Sequence, residues 1–191
     1  MENATRFLDT AALHWTKHRQ CFACHTNFAY LIARPKVNAD NTAHRELRAA
    51  LEEMVEKPWE TDGPRWDAEV VMSAATLALN DAATTGELQP TTRKALARMW
   101  HVQRADGGFD WLKCGWPPME SDDDYGIAIA ALALGAAPDD PRIQRGLQWL
   151  KANQRESGRW FTRSLNKDNK HFLSHAGTAF AVLALTACDE K

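Results

Sequence analysis

No stretch of this 191-residue chain is long and apolar enough to cross a bilayer. The longest, Ile127 to Pro138, is alanine-rich and well short of the roughly 20 apolar residues a span needs. No transmembrane helix is expected. An excess of positive charge is also missing: Lys and Arg number 23 against 25 Asp and Glu, a net charge of -2. Such a chain has no basic field to hold a nucleic-acid backbone or an anionic membrane, so no nucleic-acid partner is expected. The opening MENATRFLDTAALHW has neither the basic end nor the continuous apolar segment of a secretory signal, so the chain as it stands is expected to remain where it is made. Strand-like alternation is absent throughout. What is present is 45% hydrophobic residues, enough for one core over residues 1–191, an excess of Trp at eight, and four Cys. Two of the cysteines, Cys21 and Cys24, form a close pair followed at once by His25.

The C-terminal half repeats itself. A shift of 51 residues without a gap superposes Leu96 on Leu147, Gln103 on Gln154, Arg104 on Arg155, Gly107 on Gly158 and the aromatic Phe109 on Trp160. In the same register Gly126, Ala128, Ala130, Leu132, Ala133 and Leu134 fall on Gly177, Ala179, Ala181, Leu183, Ala184 and Leu185. Each unit has the pattern of a helical hairpin. The first helix is amphipathic, as in Ile143, Leu147 and Leu150, and ends at a polar glycine turn, QRADGGF at 103–109 or QRESGRW at 154–160. The second, IAIAALAL at 127–134 or TAFAVLAL at 178–185, is apolar nearly all round and must be enclosed. Amphipathic helices are therefore expected outside and Ala-rich ones inside. The pattern recurs upstream, with His44 to Lys57 as an outer helix and Ala68 to Leu79 as an inner one. Thr5 to Arg19 pairs with Thr26 to Ala33, and Pro35 closes that pair. This predicts an all-α fold of about four hairpins, near 4–35, 43–80, 91–135 and 139–187.

RGLQWLKANQRESGRW at 145–160 resembles the QW repeat of squalene and oxidosqualene cyclases, whose α/α-toroid fold is shared with prenyltransferase β subunits. The resemblance covers residues 90–187 and implies that Gln and Trp of the repeat tie adjacent outer helices together. QCFACHTNFAYLIARP at 20–35 is similar to a segment in a bacterial group that joins such repeats to an N-terminal Cys-x-x-Cys-His-Thr, and ESDDDYGIAIAALALGAAP at 120–138 resembles the inner helix of that group. The implied architecture is an incomplete α/α toroid.

CFACH at 21–25 is the attachment pattern of haem c. Two thiols at this spacing reach both vinyl groups while the adjacent imidazole ligates iron. Attachment requires an exported chain, so haem c would imply a periplasmic or secreted protein. Met119, His171 and His175 are candidates for the distal ligand. Zinc is the alternative: Cys21 and Cys24 have ligand spacing, and His25, His18, Asp124 or His175 could complete a tetrahedron. A plain pair of buried or redox-active thiols beside a structural His also fits.

Repeat arithmetic adds a second set. His25, Glu69, Asp124 and His175 stand at equivalent places at the starts of the four inner helices, and in a toroid such places share one rim. The positive end of a helix favours Asp and Glu there and keeps His neutral, able to act as a ligand. Helix capping explains the acids equally: Ser121, Asp122 and Ser174 suit N-cap positions, and Asp123, Asp124 and Glu69 suit first turns. The family resemblance implies two chemistries for this rim. SDDDYG at 121–126 is similar to the Asp-x-Asp-Asp motif that supplies the alkene-protonating acid in squalene-hopene cyclases, with Asp123 as the general acid and Ser121 in place of the first Asp. Asp124 and His175 match two of the three prenyltransferase zinc ligands, and Gly126 stands where the Cys would be.

Length argues against a complete cyclase. Four hairpins of about 50 residues cannot close a ring of about five to seven, and an open arc leaves an acid in water, where it ionises. The Ala-rich helices then need a tight bundle, a second copy or a missing segment to cover them. Trp100, Phe109, Trp111, Trp116, Trp160 and Phe161 cluster at the turns, as packing between hairpins or as a surface for a hydrophobic small ligand. WLKCGWPPM at 111–119 has the composition of a loop over the rim, and its Cys114 could pair with Cys188 in an oxidising compartment. The sequence therefore leads to a toroid-type repeat scaffold with a haem or metal site, serving binding or electron transfer. A zinc-binding scaffold and an isoprenoid cyclase or prenyltransferase-like enzyme stand as the alternatives.

Overall fold

A computed structural model of the chain describes residues 2–19, 26–38, 41–57, 66–109, 140–158, 181–182 and 184–185. Among the described residues helix accounts for 78%, in six helices and without a strand, consistent with an all-α fold. The helices are α1 (Glu2–Arg19), α2 (Asn27–Ala33), α3 (Thr42–Glu56), α4 (Trp66–Thr84), α5 (Pro90–Val102) and α6 (Pro141–Ala152), with a 3-10 turn at Arg34–Lys36 after α2. No described helix is long and apolar enough to cross a membrane.

The chain divides into two compact units, one of Met1–Trp59 with Met72–Leu96, the other of Glu60–Val71 with Ala97–Lys191. In the first, α1 packs on α2 and α3, and α2 packs on α3. Helices α1 and α2 run antiparallel, since Thr16 meets Asn27 while Asp9 meets Arg34. Helix α3 begins at Asn41, whose side chain accepts the His44 backbone N–H as an N-cap. It buries the single stripe Ala43, His44, Leu47, Leu51 and Val55. Each fully buried leucine of that stripe contributes about 1.5–3 kcal/mol relative to exposure.

Helix α4 differs from α3 in kind. Every residue from Val70 to Ala78 is buried, so it has no solvent face, as its Ala-rich and nearly unbroken apolar sequence requires. It also continues five residues beyond Leu79, through Asn80 and Asp81 to Thr84. The apolar pattern stops at Leu79, but Asn80 and Asp81 are buried as well and find polar partners on neighbouring helices.

In the second unit α6 buries Ile143, Gly146, Leu147 and Leu150, a stripe at helical spacing, and starts at Asp140, which caps the Arg142 N–H ahead of Pro141 at the first helical turn. Helices α3 and α6 are thus amphipathic and the centre of α4 is enclosed. Within 178–185 the four described residues are helical; Ala181 and Ala184 are buried, whereas Val182 is 49% exposed.

The two glycine turns have the same local geometry. Gln103 Nε2 donates to the Gly107 carbonyl at 3.1 Å and Gln154 Nε2 to the Gly158 carbonyl at 2.8 Å. Both glycines sit at positive φ, +94° and +79°. The 51-residue repeat is therefore a repeat of backbone conformation at these turns as well as of sequence. Gln103 does more: the same Nε2 donates to the Arg142 carbonyl at 3.0 Å, and its Oε1 accepts from Arg145 Nη2 at 3.3 Å, fastening the turn to the start of α6. The Arg142 guanidinium lies 4.4 Å from the ring centroid of Trp100 on α5, a cation–π contact that ties α5 to α6. Phe109 at the end of the turn is buried.

Candidate functional site

Cys21, Cys24 and His25 lie outside the described residues, as do Met119, Asp123, Asp124, His171, His175, Cys114 and Cys188. Their flanks are described. The 20–25 segment links the end of α1 at Arg19 to Thr26, immediately before α2. Asn27, fully buried, donates from Nδ2 to Thr16 Oγ1 at 2.5 Å and to the Ala12 carbonyl at 3.3 Å. Phe28 beside it is fully buried. The start of α2 is therefore fastened to the middle of α1 through a buried amide.

The far end of the same hairpin is held by a charged knot. Asp9 of α1 receives Arg34 through two hydrogen bonds, Nε to Oδ1 at 2.8 Å and Nη2 to Oδ2 at 3.2 Å. The Tyr30 hydroxyl donates to Oδ1 at 2.6 Å and Asn41 Nδ2 to Oδ2 at 3.2 Å. Arg34 Nη1 closes the turn on the Asn38 carbonyl at 2.7 Å. Tyr30 and Arg34 belong to the YLIARP run, so these two residues act on architecture: one helical turn apart, they grip a single carboxylate on α1.

The knot has electrostatic consequences. Its hydrogen bonds from Arg34 hold the Asp9 carboxyl below its ordinary value of 3.8, and Asp9 in turn raises Arg34. Burial, reinforced by the bond to Asp9, pushes the Tyr30 hydroxyl well above its ordinary value of 10.0. A carboxyl depressed in the folded state stabilises the fold above its unfolded value and loses that contribution as pH falls through its folded value; the raised Tyr30 does the reverse at high pH. In urea titrations the wild-type midpoint is expected to fall between pH 5 and pH 3, with a smaller fall in Asp9→Asn. An equal fall in both would show that Asp9 does not carry the acid limb.

A second polar cluster, which sequence reasoning did not anticipate, sits among α3, α4 and α5. Arg48 of α3 donates through Nη1 to Asn80 Oδ1 at 2.9 Å and through Nη2 to Thr92 Oγ1 at 3.2 Å, while Nε bonds Glu52 at 2.8 Å. Nη1 also lies 2.7 Å from Asp81 Oδ1, a charge contact. Asp81 Oδ2 accepts the Gln89 backbone N–H at 2.8 Å, joining the end of α4 to the entry of α5. Asn80 Nδ2 donates to the Leu31 carbonyl at 2.7 Å and meets His44 Nε2 at 2.9 Å. Because an amide nitrogen can only donate, His44 Nε2 must be the acceptor here. The available signal was the position of His44 on the apolar stripe of α3 and of Asn80 and Asp81 directly after the apolar run of α4.

Comparison with protein-family models, with curated proteins and with solved structures returns no match. The chemistry must come from the residues. Glu69 lies in the first turn of α4 and is half-buried, the position anticipated for it. His18 lies in the last turn of α1, three residues ahead of Cys21. Among the described residues no three or more His, Cys, Asp or Glu gather as a metal site. The donor set at 21–25, two thiols and an imidazole, suits either haem attachment or a thiolate-rich metal.

Proposed function

We propose that the chain is an α-helical repeat scaffold of the incomplete α/α-toroid type. It carries haem c on Cys21 and Cys24, with His25 as an iron ligand, and serves binding or electron transfer. The observation that supports this most directly is the Cys-x-x-Cys-His pattern at 21–25, placed in the chain between α1 and α2, whose hairpin is fastened by the buried Asn27 amide bonding Thr16 and Ala12. A haem held there supplies one-electron redox chemistry. The chain's own part is to present the thiols and the imidazole between α1 and α2, a hairpin whose core includes Phe28 and Leu31. The enclosed α4, the amphipathic α3 and α6 and the duplicated glutamine turns agree with toroid-type repeats.

Expression in an exporting host with a haem-maturation system is expected to yield a red protein with a Soret band and a covalent haem adduct by mass. A colourless product overturns this proposal. If that product holds stoichiometric zinc that disappears in Cys24→Ser, the same donors serve the zinc alternative. Isoprenoid turnover lost in Asp123→Asn would instead favour the cyclase-like alternative.

A further inference from the structure

The two polar clusters of the first unit meet at His44. Asn41 Oδ1 accepts its backbone N–H at 3.2 Å, and Asn41 Nδ2 in turn bonds Asp9 Oδ2 at 3.2 Å. On the ring side, Asn80 Nδ2 stands 2.9 Å from His44 Nε2. His44 is 5% exposed and Asn80 1%, so this contact is made away from water. The direction of each bond around it is forced. Asn80 Nδ2 faces the Leu31 carbonyl at 2.7 Å, which only accepts, while Asn80 Oδ1 faces Arg48 Nη1 at 2.9 Å, which only donates. The amide therefore cannot turn over. With its nitrogen held toward His44, Nε2 must keep its lone pair, and the neutral ring carries its proton on Nδ1. A second proton on Nε2 would set one N–H against another and place a cation in the core.

We propose that His44, Asn80 and the Leu31 carbonyl form a proton-sensitive lock that fastens α2, α3 and α4 together only while His44 is neutral, independent of whatever occupies residues 21–25. The charged groups around it act in the same sense. On α3 itself, Arg48 grips the same Asn80 amide and opposes another cation, and it also holds Glu52. From α4 comes Asp81, 2.7 Å from Arg48 Nη1. From α1 and α2 come Asp9 and Tyr30, with Arg34 directly after α2; Tyr30 and Arg34 both bond Asp9. From α5 comes Thr92, which is uncharged and bonds Arg48. Each of these three carboxylates thus already holds an arginine. An unfolded histidine takes up its second proton at about pH 6.5. The locked ring does not, so below that value the unfolded state binds more protons and stability falls as pH falls.

The experiment compares urea titrations of the full wild-type chain and of His44→Gln at pH 7.5 and pH 5.5, a window above the carboxylate range. Gln supplies an acceptor oxygen for Asn80 and has no proton to gain. Between the two pH values the wild-type folding constant is expected to fall about tenfold more than that of the variant. A difference of less than about threefold overturns the proposal. Ring-nitrogen shifts of His44 in the folded wild type, read by NMR, test it without any substitution. A ring that stays neutral with its proton on Nδ1 throughout the window is expected, and one that becomes doubly protonated there while the protein stays folded overturns the lock.

Discussion

Arg48→Ala is expected to destabilise the protein by about 3–5 kcal/mol, read as a fall in the urea midpoint at unchanged slope. The magnitude follows from what the substitution leaves behind. Asp81 is 1% exposed and Arg48 12%, so the pair lies away from water. With the guanidinium gone, a buried carboxylate keeps the Gln89 N–H and loses its cation, while Asn80 and Thr92, both buried, each lose their Arg48 donor. An unpaired buried charge costs far more than the net value of an intact pair. The double variant Arg48→Met with Asp81→Asn is therefore expected to recover a large part of the loss, because it removes the stranded charge. A loss below about 1 kcal/mol in Arg48→Ala would place the cluster among ordinary surface ion pairs.

Gly107→Ala is expected to cost about 2–5 kcal/mol, against about 1–2 kcal/mol for Gly158→Ala, although the two glycines are repeat equivalents. Both residues have positive φ, so alanine strains the backbone at either. The difference is space. A Cβ at Gly107 would stand 2.7 Å from the backbone carbon and oxygen of Arg145 on α6, whereas one at Gly158 meets nothing within 4 Å. The helix must move to admit the methyl group at Gly107, and with it the Gln103 bonds to Arg142 and Arg145 are disturbed. Equal melting temperatures for the two variants would show that the close approach of α6 is not structural.

These contrasts mark how far sequence patterns reach. The stripe at Leu47, Leu51 and Val55 and the stripe at Ile143, Leu147 and Leu150 were legible because amphipathic periodicity is local and follows from the helix pitch. The glutamine and glycine of the turns were legible because they recur at a fixed distance. The end of α4 was not: an apolar-run criterion stops at Leu79, and only Arg48, His44 and the Leu31 carbonyl make Asn80 and Asp81 acceptable in a buried helix. The roles of Tyr30 and Arg34 were hidden for the same reason, since their common partner Asp9 lies 21 and 25 residues away in the chain. The exposure of Val182, within a run expected to be enclosed, likewise depends on what packs against it.

Hydrophobic periodicity and the 51-residue repeat were enough to anticipate a mostly helical chain, the single buried stripes of α3 and α6, the enclosed centre of α4 and the recurrence of one turn. The sequence also placed two thiols and an imidazole in the short link between α1 and α2. Packing of the helices alone chose which polar groups meet: Asp9 with Arg34, Asp81 with Arg48, and the Asn27 amide with Thr16 and Ala12. The physical reason is that hydrophobic periodicity is written residue by residue along the chain, whereas the partner of a buried polar group is chosen by helices that come together only after the chain has folded.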